Sequence, residues 1–582
     1  MYIFFMLLIT IIFIIFYIAL YLRNDITILL ARLNIITCFL IIYLITNNFY
    51  NTISNKGISI FNNIFQFNIT TSVFNIFIFV LIIIIVSLNA FYPRKIFSNI
   101  NNNYTDYLVS LKEKINKDIL LGKNSYQFKL KEYTLIILFI ITGSIFLISA
   151  NDLLSIFLSI ELQSYGLYIL STIYRNSELS TKAGLTYFLL GALSSCIILL
   201  GQTILYINSG NINIENIYLL NNIISSNNII FVLDTDSYNF ILSDNYKYIK
   251  YSLIIISAGF MFKVSAAPFH FWSPDVYDSI PTVVTTFVAI IAKISIFVLF
   301  LGLINYTYNI GALDYNNYIE SDPFNWTDNL LISCFLSLLI GSVLGLVQFR
   351  IKRLYAYSTI NHIGFILLAL CINSLESTQA FIFYIIQYSI SNLNAFIILI
   401  SMGYFILIYY DNNKLNKELK EKNNSPIQLI SQLKGFYKLN NMLSLSLTIT
   451  LLSFLGIPPL LGFFGKQMVL SSALSKGYIF ITLIAVLTSV ISAVYYLVVI
   501  KHIFFDKNEY TNITENKLDA PENKIYTDLN NLKETNVINN IKLSSNLTIS
   551  ISILTLLLVV YMFTSKIWLD LLTLMCLNIF NL

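Results

Sequence analysis

The chain has 582 residues, of which 57% are hydrophobic and only 11% charged, with a mean hydropathy of +0.74. A soluble domain carries about 25% charged residues, so the composition excludes a water-soluble globular enzyme and points to an all-α polytopic membrane protein with spans of about 20 residues each. The net charge of +5 is scattered along the chain and builds no basic face for nucleic acid.

Three apolar runs, near 2–22, 26–46 and 73–92, open the chain and lead into a polar stretch, 93–132, that carries Arg94, Lys95 and six further lysines. The first run is too long for a signal-peptide core and lacks a basic start and a small-residue cleavage site, so it reads as a retained span. Spans four and five are expected at 133–150 and 153–173, with Glu161 inside the fifth, and a sixth at about 183–207 ends in a polar, acidic loop, 208–250. The seventh and eighth, near 251–267 and 282–304, each hold a single lysine near mid-length, Lys263 and Lys293, with Pro268, Pro274 and Pro281 between them. Proline has no N–H and cannot continue a helix in register, so the seventh span is expected to break near Pro268. Spans nine to eleven fall near 329–347, 354–373 and 379–408, with Arg350, Lys352 and Arg353 between the first two. A charged loop, 410–440, leads to the twelfth, where Pro458 and Pro459 precede Lys466 and mark a second broken helix. Spans thirteen and fourteen are expected near 478–503 and 547–564, separated by a polar loop, 504–546, and the apolar tail from Ile567 to Leu582 is short enough to lie in the interface.

A cation at the centre of a membrane helix costs roughly 2.5–3.5 kcal/mol on insertion scales, so it is expected to face a bundle interior with a partner. Broken backbone at that depth is tolerated only where protein or water satisfies it. Lysines beside helix breaks therefore mark an ion path. Cys38, Cys196, Cys334, Cys371 and Cys576 each sit alone in an apolar run without a CxxC pair. They supply no ligand set for a disulfide framework, a zinc site or an iron–sulfur cluster, and electron transfer is expected outside this chain.

With fourteen spans and both termini on one side, 26 of the 35 Lys and Arg fall on the other, which the positive-inside rule assigns to the side of synthesis. The bias toward Asn, Ile, Phe, Tyr and Lys suggests an AT-rich genome and, with no transit peptide, synthesis inside an organelle. Two broken helices, one in each set of five spans, suggest an inverted duplication. The expected units are 1–132 (three spans and a polar loop), 133–304 (first five-helix repeat), 305–503 (a loop and the second repeat) and 504–582 (polar loop, last span and interfacial tail).

Lys263 to Pro281, KVSAAPFHFWSPDVYDSIP, resembles the broken-helix motif of the proton-pumping, antiporter-like subunits of respiratory complex I. Three other pieces are similar to the same family: LSIELQS around Glu161, KRLYAYSTINHIGFILL from Lys352, and GIPPLLGFFGKQ around Lys466. The resemblance covers roughly 133–503 and implies a pairing of Glu161 with Lys263, a central role for Lys293, Lys466 as the terminal residue of the charge chain, and His362 as a relay between the halves. It further implies that this chain binds no cofactor, with NADH, FMN, iron–sulfur clusters and ubiquinone held by other subunits. The implied setting is the inner mitochondrial membrane, both termini toward the intermembrane space, with other membrane-arm and accessory subunits and the lipid bilayer as partners and no nucleic acid. At the start of span six, relatives often read E-A-G-L-K-Y-F, whereas this chain has Lys182 at the first position and Thr186 at the fifth.

Other readings stand beside these. The lysines and Glu161 could be ion pairs that fix packing, His362 a satisfied core histidine, His270 a backbone cap at the break, His502 a helix-end cation, and Arg32 a side chain snorkelling from a span end. The whole chain could be a cation/proton antiporter subunit or a non-pumping membrane scaffold.

Overall fold

The computed structural model describes residues 2–20, 26–47, 57–91, 132–174, 177–219, 236–307, 326–410, 427–506 and 545–579. Long apolar segments fold as helices because each backbone N–H and C=O then finds its partner within the segment, the only open-ended solution in lipid. Twelve described helices are long and apolar enough to cross a membrane. They are α1 (Tyr2–Leu20), α2 (Ile26–Asn47), α3 (Ile69–Phe91), α4 (Glu132–Ser149), α5 (Leu153–Thr172), α6 (Glu178–Ser209), α9 (Thr282–Thr307), α10 (Trp326–Leu346), α11 (Ile351–Ile372), α12 (Leu375–Tyr410), α15 (Ile479–Phe504) and α16 (Ser545–Ile579). The other described α-helices form two interrupted segments: α7 (Asp236–Val264) with α8 (Trp272–Ser279), and α13 (Asn441–Leu455) with α14 (Leu461–Ser475).

Three features depart from the sequence reading. Helix α7 starts at Asp236, so the second part of the expected loop 208–250 is helical. Residues Ile567 to Ile579 continue the last span as one helix, α16, with no break after residue 564. Ser565 and Lys566 are polar without being helix breakers, and Lys566 is exposed. A small antiparallel hairpin, β1 (Ile58–Ile60) with β2 (Phe65–Phe67), precedes α3. Its Gln66 and neighbouring Asn63 both donate side-chain amides to the Glu215 carboxylate at 2.7 Å, tying it to the segment after α6. The charged stretches 93–131 and 507–544 lie outside the described residues.

The α4–α5 and α10–α11 pairs are built alike. A Cβ on Gly143 of α4 would stand 2.7 Å from the Gln163 nitrogen of α5, and one on Gly341 of α10 would stand 2.7 Å from the Asn361 nitrogen of α11. At the start of α5, Leu153 N–H donates to Ile212 (3.1 Å) and Ile214 to Asn151 (3.0 Å); at the start of α11, Ile351 donates to Gln428 and Ile430 to Phe349, both at 3.0 Å. Because the obstacle at Gly341 is backbone, Gly341→Ala is expected to force α10 off α11 and to destabilise the protein by about 1–3 kcal/mol. A thermal unfolding midpoint equal to that of the wild type would contradict this contact.

Candidate functional site

The expected breaks occur where the chain turns left-handed. Helix α7 ends at Val264, and Ser265 takes φ +66°, three residues ahead of Pro268. Helix α13 ends at Leu455, and Gly456 takes φ +86°, a conformation that glycine adopts without a Cβ penalty. The open backbone carbonyls at these helix ends are met by side chains. The Trp272 indole N–H donates to the Phe262 carbonyl (3.0 Å) at the first break, and the Lys466 amine donates to the Leu455 carbonyl (2.8 Å) at the second. His270 Nδ1 stands 3.3 Å from the Pro268 carbonyl oxygen, in keeping with the backbone-capping reading of that residue.

Around the first break, Lys263 Nζ lies 3.7 Å from Glu161 Oε1, an ion pair longer than a hydrogen bond, and donates to the Tyr168 hydroxyl at 3.1 Å. Lys293 is 1% exposed, and its amine donates to Ser265 Oγ (3.1 Å) and Thr359 Oγ1 (3.4 Å). It follows a π-helical turn, Phe287–Ile291, inside α9. A π turn breaks the regular i→i−4 ladder, and Tyr388 of α12 donates its hydroxyl to the Ala289 carbonyl within it (3.0 Å). One turn past Thr359 on α11, His362 is buried with Nδ1 2.8 Å from the Tyr384 hydroxyl, and its Nε2 makes no hydrogen bond. Lys466 sits over the ring of Phe365, one further turn along α11, with its amine 5.4 Å from the centroid.

Thr359, His362 and Phe365 thus form a stripe at three-residue spacing on one helix face, and α11 carries a contact to Lys293, to Tyr384 and to Lys466 in turn. The predicted pair Glu161–Lys263 is brought together. Lys293, His362 and Lys466 are joined to the rest through hydroxyl and aromatic neighbours. Lys182 is exposed and the Thr186 hydroxyl bonds back to Ala183 in its own helix (2.9 Å), so neither joins the group. His502 pairs with Asp506 at the end of α15, and Arg32 is exposed on α2. Among the described residues no three of His, Cys, Asp and Glu gather as they would around a metal ion.

Sequence reasoning missed a second polar cluster. Asp278, at the end of α8, accepts from Arg350 (2.5 Å) and pairs with Arg353 (3.3 Å), while Arg353 also bonds Asp275 (2.7 Å). Lys352, 1% exposed, donates to the Ile280 carbonyl at 2.7 Å. These basic residues read in sequence as topology markers between two spans, whereas they clasp α8 to the start of α11. The acidic residues of the PDVYD segment were the available signal.

A family model described as "NADH:quinone oxidoreductase/Mrp antiporter, TM" matches residues 150–492, which hold Glu161, Lys263, Lys293, His362 and Lys466. The chain is 43% identical over 82% of its length to NADH-ubiquinone oxidoreductase chain 2 of Rhizopus oryzae, covering 81% of that protein. Its fold is shared with a chain of respiratory complex I from Thermus thermophilus at a TM-score of 0.64 and 21% identity, over 97% of this chain and 98% of that one. It is shared too with a chain of the membrane-bound sulfane sulfur reductase, an archaeal respiratory complex, at a TM-score of 0.70 and 18% identity, over 99% and 96%. The buried lysines, the two broken helices and these matches together place the chain in the NADH:quinone oxidoreductase/Mrp antiporter family of transmembrane proteins, to which it belongs.

Proposed function

We propose that this chain is the subunit 2 type of membrane-arm subunit of respiratory complex I, moving protons across the inner mitochondrial membrane while partner subunits pass electrons from NADH to ubiquinone. The observation that carries this reading is the row Glu161–Lys263, Lys293, His362 and Lys466, held at two helix breaks and one π turn within the family-matched region. Lysine can gain and lose a proton where arginine stays charged, and a carboxylate near it favours the charged form. A change in the Glu161–Lys263 distance would load or release a proton at Lys263. Lys293 and His362 would pass it along α11 toward Lys466. The buried side-chain amide of Gln387, which makes no protein hydrogen bond, supports internal waters along this route.

The same reading counts the two interrupted segments as spans, giving fourteen, and takes 133–304 and 305–503 as inverted copies; the matching α4–α5 and α10–α11 contacts support the duplication. The redox groups, FMN and iron–sulfur clusters, would belong to other subunits. Both termini would face the intermembrane space. Because the matching family includes Mrp antiporters, a cation/proton antiporter subunit is the second reading.

Mildly solubilised membranes run on a native gel, stained for NADH oxidation and searched for this chain by mass spectrometry, test the proposal. Co-migration with a very large NADH-oxidising band is expected. A smaller band without that activity, together with Na⁺- or K⁺-dependent transport, would establish the antiporter reading instead.

A further inference from the structure

Lys263 has two partners on one helix face, and they differ in kind. Glu161 and Tyr168 are seven residues apart on α5, about two turns, so both reach toward the amine from the same side. The amine is nearer the phenol oxygen (3.1 Å) than the carboxylate (3.7 Å). An ionised carboxylate only accepts hydrogen bonds and so suits an ammonium. A phenol hydroxyl both donates and accepts, so it satisfies the lysine with or without its proton.

Tyr168 is also fixed in place. Its hydroxyl occupies the space beside Gly191 of α6, where a Cβ would lie 1.8 Å from the oxygen. Tyr187 meets its ring edge-on at 4.7 Å, and Tyr187 in turn stacks on Trp272 at 4.7 Å. Trp272 bonds the carbonyl of Phe262, the residue before Lys263. The lysine stem has four rotatable bonds whereas the phenol is wedged between neighbours, so a change in this contact would come from the amine and not from Tyr168.

We propose that Tyr168 is a positioning residue for proton transfer, a second station that holds the Lys263 amine off Glu161 and lets it gain or give up its proton without losing its hydrogen bond. This rests on the proton-path reading of Lys263. In the assembled complex in sealed vesicles, Tyr168→Phe keeps the ring and removes only the oxygen. It is expected to lower NADH-driven proton translocation three- to tenfold, while NADH oxidation by a soluble artificial acceptor is unchanged. In a Glu161→Gln background the same change is expected to add no further loss, because the two partners act on one amine; a purely packing role would multiply the losses. Wild-type translocation in Tyr168→Phe, or multiplied losses in the double variant, overturns the proposal. Lys263→Met with undiminished protons per NADH overturns the underlying proton-path reading instead. Should Tyr168→Phe not assemble, a map of the complex carrying Glu161→Gln decides: an amine within about 3.2 Å of the Tyr168 oxygen is expected, and an amine beyond hydrogen-bonding distance refutes the second station.

Discussion

Lys293→Met is expected to leave the chain folded and assembled, yet to lower proton translocation by roughly a hundredfold or more, the scale on which a positioned proton-transfer group acts. The amine is 1% exposed, and the hydrogen bonds it makes go to the hydroxyls of Ser265 and Thr359. Methionine has a similar unbranched reach and fills irregular gaps well. It also removes the cost of roughly 2.5–3.5 kcal/mol that a membrane-centre cation carries on insertion scales. Thr359 keeps its own bond to the Ala356 carbonyl (2.8 Å) when the amine is gone. Thermal stability should therefore hold or rise while pumping falls. Thermal unfolding and protons per NADH in sealed vesicles, measured on the same preparation, separate this from a packing role, which predicts lost stability with unaltered stoichiometry.

Asp278→Ala is expected to act the other way round, through position. Its carboxylate is 7% exposed, whereas the side chains of Arg350 and Arg353 are each 39% exposed and can still reach water. The loss in stability should accordingly stay near 1–2 kcal/mol, below that of a fully buried pair. The clasp, however, sets where α8 stands against α11, and α8 leads back to Lys263 and forward to Lys293. Quinone-linked turnover is expected to fall several-fold, with NADH oxidation by an artificial acceptor intact. The charge-reversed pair Asp278→Arg with Arg350→Asp should recover part of the loss; no recovery, or no loss in the single variant, would count against the clasp.

The parts of this site legible in sequence were those that violate a local rule. Lys263, Lys293 and Lys466 stand out because a cation in an apolar run is costly, and the prolines announce the breaks within a few residues. Tyr168 was within reach, since its seven-residue spacing from Glu161 is helical. The π turn was not, because nothing in Phe287–Ile291 signals it and the hydroxyl that meets its carbonyl comes from Tyr388 on another helix. The Asp278–Arg350 contact joins residues 72 apart, so only the fold reveals it. The start of α7 at Asp236 was hidden by charged residues that are as compatible with helix as with loop.

The eight residues of α8 are anchored at both ends to different neighbours: Trp272 to the end of α7, and Asp278 to the first turn of α11. A helix turns about 100° and rises about 1.5 Å per residue. One residue inserted or deleted between the two anchors would swing the carboxylate away from the arginines or the indole away from its carbonyl. The length of α8 is thus a gauge set by its two attachments.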